Sequence, residues 1–506
     1  MGEKVLEQKK ISVELEKNIS AFEEVFSNCS DIKKQAMSLG KNGCIGAWAS
    51  YVEVTVNESG INAGEVGRFV ASMKNLEKNQ IVNFLKQNRT GLFDMTTYQT
   101  IEDAAQGMLT GDVIMFVDGI DFAIKIPDKG YPAMSLQETD SEKVIRGSNE
   151  GFADSIKVNT AIIRRRLKST RLKCAEYCKG VRSHTNIDLL YVEDLAKNTL
   201  VNQMKKRLDR FVIDQISDTG VIEQLSEEKW YSPFPQFQTT RRPDVAVNAL
   251  LQGRLVILSD NSPTALIIPA TMNDFFKTAD DYYNRTFVSS FARIIRYVSA
   301  FLSLTIPGLY LAVTNFHTQI LPTSLLLSFY EARIGCPFPQ VLEVLMMEMA
   351  FELLREAGIR LPGAMGNAIG IVGGLIIGQA AVDANLVSPI VVILVAFTAL
   401  CSFVIPSEEF AFSFRLLKFV VIIMSAWLGF FGFLISIYAI LVHLAKLKSF
   451  GYPYLTPFVG PELNGYEDEK DSIVRWPLFK LTQRIIYSKK IERTKLRKNV
   501  PESKER

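Results

Sequence analysis

Along the 506-residue chain the hydrophobic positions change character once. Up to about residue 290 they come in short runs, in which β-branched stretches of strand length alternate with stretches where apolar residues recur at helical spacing. Beyond it they come in blocks of about 20 residues, long enough for a helix to cross the roughly 30 Å hydrocarbon layer of a bilayer. Four blocks qualify: 294–314, 365–382, 387–405 and 419–442. Between the first two, PTSLLLSFYEAR is too short to cross, and the helix expected near 339–358 carries Glu343, Glu348, Glu352 and Glu356. An interfacial and a re-entrant course both stay open for it. The pattern predicts an α/β soluble N-terminal half followed by an all-α polytopic membrane domain.

Within the soluble half one fold unit is written twice. Tyr51-Val52-Glu53 recurs as Tyr191-Val192-Glu193, and TGDVIMFVDGIDFAIKIP at 110–127 is answered by QGRLVILSDNSPTALIIP at 252–269. Gly111 thus matches Gly253, Asp118 matches Asp260 and Pro127 matches Pro269. Each copy predicts a strand, a helical stretch, a helix and then two apolar runs joined by an Asp-containing turn, which is a hairpin signature. The expected layout is a charged lead-in (1–40), α/β lobe 1 (41–137), a basic helical connector (138–180), duplicated α/β lobe 2 (181–290), a transmembrane domain (291–448) and a cytoplasmic basic tail (449–506).

Charge sharpens the division. Residues 1–296 hold 38 basic and 38 acidic side chains, which argues against a nucleic-acid partner. Between Tyr297 and Val442 there are 13 charges, whereas the tail from His443 carries 14 basic and 8 acidic residues. A basic tail suits an anionic cytoplasmic leaflet, although Arg415 and Lys418 before the last block compete with that orientation. The first residues show no apolar leader, so the N-terminal half is expected in the cytoplasm. The run Arg164-Arg165-Arg166 is expected on a solvated helix face, with acidic headgroups or a partner domain as the alternative.

The chain offers little chemistry. There is no GxGxxG after a strand, no P-loop, no GxSxG elbow and no carboxylate pair beside a nucleophile, so no enzyme and no cofactor are expected. The six Cys (29, 44, 174, 178, 336, 401) and three His (184, 317, 443) lack metal-ligand spacing, so no metal is expected.

The succession VIRGSNEGF, NTAIIRRRL, YSPFPQ, RRPD, LTIPGLYLAVTNFHTQILPTSLLLS, PFPQVLEVLMMEMAFELLREAGIRLP, GIVGGLIIGQAAV, LVSPIVVILVAFTALCSFVIP and SFGYPYL resembles the A subunit of the bacterial spore germinant receptors, the GerA family. The resemblance is dense over 140–460 and loose over the first lobe. It implies a multi-pass protein of the spore inner membrane with its N-terminal domain on the core side. It also implies a transporter-like B subunit and a lipoprotein C subunit as partners, and a role in sensing nutrients and triggering ion release. Two alternatives stay open. One is the stage V sporulation channel-like homologue, which amplifies ion release without sensing; the other is a secondary transporter, which would show inverted repeats in the membrane half.

Three groups of residues are candidates for function. Glu348, Glu352, Arg355 and Glu356 share about a third of a helical turn, so they are expected to line an ion path or gate in a homo-oligomer, or to form a structural ion-pair cluster. Gly366, Gly370, Gly374 and Gly378 recur every fourth residue and give one helix a flat face, which is either a packing surface or a pore wall. Arg242 and Asp244 of RRPD are expected in contacts between subunits, with an ordinary surface turn as the alternative.

Overall fold

The computed structural model describes residues 9–53, 55, 56, 65–86, 96–128, 142, 144–360, 374 and 376–495. The chain forms two units, one of Met1–Glu227, Phe237–Pro269 and Thr482–Arg506, the other of Glu228–Gln236 and Ala270–Leu481. The N-terminal region is α/β with antiparallel sheets, and the C-terminal half is helical.

In the first unit, α1 (Leu15–Val25), β1 (Ile32–Leu39), β2 (Ile45–Val52), α2 (Glu65–Met73), α3 (Lys78–Lys86), β3 (Thr96–Tyr98), α4 (Ile101–Met108), β4 (Val113–Val117) and β5 (Ala123–Ile126) come first. They build a sheet of order β1-β2-β4-β5-β3. Then α5 (Ile156–Arg166), β6 (Leu172–Lys179), β7 (Thr185–Val192), α6 (Asn198–Arg210), α7 (Thr219–Ser226), β8 (Gln238–Thr240), α8 (Pro243–Leu251), β9 (Leu255–Ser259) and β10 (Ala265–Ile268) follow, with order β6-β7-β9-β10-β8. The two orders are the same, and every pairing in them is antiparallel. Strands β4 (VIMFV) and β9 (LVILS) are buried at every position, because a central strand covered on both faces needs an unbroken apolar run. Helices start where the sequence supplies caps: the Thr100 hydroxyl accepts from the Asp103 amide at 3.2 Å, and Pro243 opens α8. In the first lobe Phe22, Trp48 and Phe116 meet at ring-centroid distances of 5.4–5.9 Å, an edge-to-face and tilted cluster beneath α1.

The sheets begin earlier than the hydrophobic pattern suggests. Residues assigned to the lead-in contribute α1 and β1, and the connector contributes α5 and β6. Both β1 (IKKQAMSL) and β6 (LKCAEYCK) are edge strands, and β1 is buried only at Ile32 and Leu39, so their polar middles break the alternation that marks a strand. The Arg run is not a solvated face. Arg164 is fully buried and forks onto Asp31, with Nε to Oδ2 at 2.6 Å and Nη2 to Oδ1 at 3.0 Å, while Arg165 and Arg166 share Glu150. The fork joins the connector to the loop before β1, and the Ser30 amide and hydroxyl add two bonds to the Cys174 carbonyl.

The last part of the tail belongs to this unit. The Arg484 guanidinium donates to the Leu251 carbonyl and Lys197 to the Ile486 carbonyl, while Lys489 reaches Leu195 and Glu193 through its amide and ammonium. Ile486 and Tyr487 are buried there.

The second unit is built on α9 (Thr286–Phe316), α10 (Thr323–Glu331), α11 (Gln340–Arg360), α12 (Pro389–Phe403) and α13 (Glu408–Lys446). Helices α9 and α13 are each long and apolar enough to cross a membrane, while α12, with 15 residues, is shorter. The 365–382 block lies largely outside the described residues. Helices α9 and α13 pack backbone to side chain at Gly308, where an added Cβ would stand 2.6 Å from Val421 Cγ1. Halfway along α13, Gly429 breaks the helix at φ 62, ψ −140, a conformation L residues avoid. The YSPFPQ segment packs into this unit: Phe234 lies 5.9 Å from both Phe410 and Phe414 and stacks on His443, whose Nε2 is 2.9 Å from the Ser232 hydroxyl.

A buried ionic knot fixes the start of α9. Arg293 donates to Asp281 at 3.0 Å and to Asp471 at 2.7 Å, Arg296 donates to Asp281 at 2.8 Å, and the Tyr282 hydroxyl donates to Asp471 at 2.7 Å. Burial alone would push the Asp471 carboxyl up, but Lys277 and Arg293 outweigh it and hold it at about 2. Arg475 donates to the carbonyls of Asp281 and Asn284, and its own backbone bonds Ser290 in both directions.

Asp188 gives the first unit a pH dependence of known sign. Its carboxyl accepts from the Thr160 hydroxyl at 2.7 Å and is pushed up to about 7, by burial first and by Glu176 and Asp31 after it. The folded state therefore keeps a proton that the unfolded chain, titrating near pH 4, releases. This contribution to stability is complete below about pH 4 and is lost as pH rises through about 7. Thermal melts of the protein in detergent, followed by far-UV circular dichroism, should show the lobes losing stability across that interval. Asp188→Asn should flatten the slope; an unchanged slope would assign it to other groups.

Candidate functional site

Helix α11 is inverted relative to a helix in water. Its protein-facing side carries Glu343, Val344 and Glu348, all nearly inaccessible, whereas Met349 is 53% and Leu353 64% exposed. An apolar outer face with charge turned inward is what a hydrocarbon surrounding selects. Helix α13 follows the same rule: Ser413, Lys418, Ser425 and Ser436 are buried, while Leu416, Val420, Ile423, Trp427 and Phe431 are exposed.

The two helices meet in a seam of five charges. Lys418 Nζ lies 2.5 Å from Glu348 Oε2 and 3.6 Å from Glu352 Oε1. Arg415 and Arg355 each approach Glu352 Oε2 at 3.8 Å. Arg355 also donates to the Ser402 hydroxyl of α12 at 2.8 Å, and its guanidinium stacks over the Phe403 ring at 4.5 Å. Among the described residues, Glu348 Oε1, Glu352 Oε1, Arg355 Nε and Arg415 Nε are buried without a hydrogen-bond partner, so the seam has spare polar capacity. Beside it Glu343 pairs with Arg333 at 3.0 Å and accepts from the Ser388 amide at the start of α12, also at 3.0 Å.

The expected acidic face is therefore divided. Glu348, Glu352 and Arg355 come together, with Arg355 balancing Glu352, whereas Glu356 turns away to an exposed pair with Arg360 that contributes at most about 1 kcal/mol. Lys418 and Arg415 are the partners the sequence reading missed. In the sequence they count only toward orientation, yet their three-residue spacing in an otherwise uncharged stretch from 410 to 442 places both on one helical face. Of the glycines, Gly366 and Gly370 lie outside the described residues. Among the described residues a Cβ on Gly374 would meet nothing within 4 Å, and one on Gly378 would stand 3.4 Å from Val392 of α12. Arg242 is buried in lobe 2, forking onto Asp244 at 2.8 and 3.1 Å and donating to the Ser148 carbonyl at 2.9 Å.

The seam can hold, exchange or release charge between two helices. Removing one partner of a buried ion pair costs about 3–5 kcal/mol, because the other charge is stranded. Lys418→Met should accordingly lower the amount of folded protein in membranes sharply, and Lys418→Met with Glu348→Gln should recover it. Quantitative immunoblots of membrane fractions check this; equal loss in both variants would show that the pair is not the stabilising element.

The family described as Bacillus/Clostridium GerA spore germination protein matches residues 20–487 of this chain. Spore germination protein KA of Bacillus subtilis (strain 168) is 35% identical over 466 residues, which cover 92% of this chain and 86% of that protein. The uncharacterized membrane protein YfkQ of the same organism is 35% identical over 478 residues, covering 94% and 91%. The solved N-terminal domain of the A subunit of the Bacillus megaterium spore germinant receptor GerK3 is 26% identical, covers 52% of this chain and 98% of that one, and superimposes with a TM-score of 0.41. With a family match that runs through both units and relatives alike over more than nine-tenths of its length, the chain belongs to the GerA family of spore germination proteins.

Proposed function

We propose that this chain is the A subunit of a nutrient-sensing receptor of the spore inner membrane, acting with a transporter-like B subunit and a lipoprotein C subunit. In this reading copies of the chain assemble around an ion pathway, and the Glu348, Glu352, Arg355, Arg415 and Lys418 seam is the element that changes state when nutrient is sensed. The observation that carries it is the inverted polarity of α11 and α13: their charges are paired inside an apolar shell, with polar atoms left over at the pairing site. A carboxylate shared between Lys418 and two arginines has alternative partners within 4 Å, so a small helix displacement re-pairs it. Gly374, open among the described residues, suits a contact with a neighbouring copy. The helices cross the membrane several times, with the soluble lobes on the core side.

The matching strand orders support a duplication of one α/β unit: β1 begins at Ile32 and β6 at Leu172, 140 residues on. No inverted repeat is legible in the membrane half, which disfavours the transporter reading.

Spores carrying Lys418→Met with Glu348→Gln, which removes the pair without stranding either charge, should keep near-normal levels of the protein and release monovalent cations at an altered rate, by about tenfold or more, on the nutrients that need this receptor. Flame photometry of the germination medium measures it. Normal release at normal protein level would exclude the seam from the pathway and leave it a structural cluster. Deleting the gene should abolish the response to a subset of single nutrients; uniform slowing on all of them would assign the chain to the amplifying homologues instead.

A further inference from the structure

The segment 474–480, VRWPLFK, presents an apolar surface that the ionic knot holds beside the start of α9. Leu478 and Phe479 are largely exposed, Trp476 is 41% exposed, and Lys480 stands over the Trp476 ring at 5.2 Å. Arg475 between them is buried, and its bonds to Ser290 set this segment next to the first turns of α9. There Phe287 is 90%, Val288 59% and Phe291 66% exposed. They continue as one stripe through Ile294, Ile295, Val298 and Phe301, while Arg293 and Arg296 turn inward to the knot.

Length says where this stripe begins in a bilayer. At 1.5 Å per residue the 31 residues of α9 extend about 46 Å, about 16 Å more than a hydrocarbon layer. Shared between the two ends, the excess leaves about 8 Å beyond the hydrocarbon at each, close to the thickness of a headgroup layer, which places Phe287 and Phe291, at the end that carries Arg293 and Arg296, at headgroup depth. Tryptophan and other ring side chains gather at that depth, where one part of the ring is apolar and the rest is wet, and lysines at the same level face anionic headgroups. We propose that residues 474–480, together with Phe287 and Phe291, form an in-plane anchor seated in the headgroup and acyl boundary of the membrane, whose occupant is lipid. The tail then fixes the height at which α9 enters the bilayer. This rests on the reading that α9 and α13 span the membrane.

The two claims separate in one experiment. The chain has four tryptophans: Trp48 in the core of lobe 1, and Trp230, Trp427 and Trp476, all exposed to some degree. Full-length protein with Trp230→Phe and Trp427→Phe keeps Trp48 and Trp476; protein with Trp230→Phe and Trp476→Phe keeps Trp48 and Trp427. None of these changes touches a packed core. Each is reconstituted into phosphatidylcholine and phosphatidylglycerol vesicles whose acyl chains are brominated either near the headgroup or deep in the tail. An anchor seated about 5–10 Å into the boundary predicts that Trp476 emission is quenched about twofold by shallow bromines and less by deep ones. Trp427, midway along α13, should show the opposite order. If Trp427 follows this order while Trp476 ignores bromolipid and is quenched by aqueous iodide, the anchor is refuted and the span reading stands. If both ignore bromolipid, both claims fall.

Discussion

A charge enclosed by apolar helices has to find its counter-charge within the protein, and this constraint shapes the second unit. Lys418 on α13 and Glu348 on α11 fix those helices in register; Arg355 adds α12 through Ser402, and Glu343 adds it again through the Ser388 amide. At the start of α9, Arg293 solves the same problem with Asp281 and Asp471. Without these partners the helices could rotate at little cost, since lipid-facing leucines and phenylalanines have no preferred neighbour. Polar pairing therefore supplies the specificity that hydrophobic burial supplies in the lobes.

Much of the fold was legible because burial and composition agree there. Strands β4 and β9 are covered on both faces and are written as unbroken apolar runs, so the hairpins at 110–127 and 252–269 could be read directly. Edge strands β1 and β6 were not, because only one flank is covered and Lys33, Lys34 and Glu176 occupy the rest. The Arg run failed for a related reason: Arg164 is an interior residue whose partner, Asp31, stands 133 positions earlier. In the membrane half, α9 and α13 followed from apolar length alone. The acidic side of the seam was visible in α11, while its basic side stood 70 residues away in a helix whose charges carried an orientation argument of their own. Spacing within one segment finds groups on one face; it does not find which face meets which.

The two units hold their polar groups differently, and this bears on how a signal is stored. In lobe 2 the Arg242 fork onto Asp244 is completed by backbone carbonyls, so its geometry is fixed and a change there unfolds something. In the seam, Glu352 lies at 3.6 to 3.8 Å from three different cations, closer to shared attraction than to a single bond. Arrangements of that second kind have several states of similar energy, the condition a switch needs. Gly429, halfway along α13, supplies a place where the backbone of the same helix already departs from regularity.

The strap formed by Arg484, Ile486, Tyr487 and Lys489 closes over Leu195, Lys197 and Leu251 of lobe 2. In order of synthesis lobe 2 precedes every apolar helix and the strap follows them all. A nascent chain therefore leaves the ribosome with one soluble lobe unfinished, the surface around Leu195, Lys197 and Leu251 uncovered until residues 484–489 have been translated.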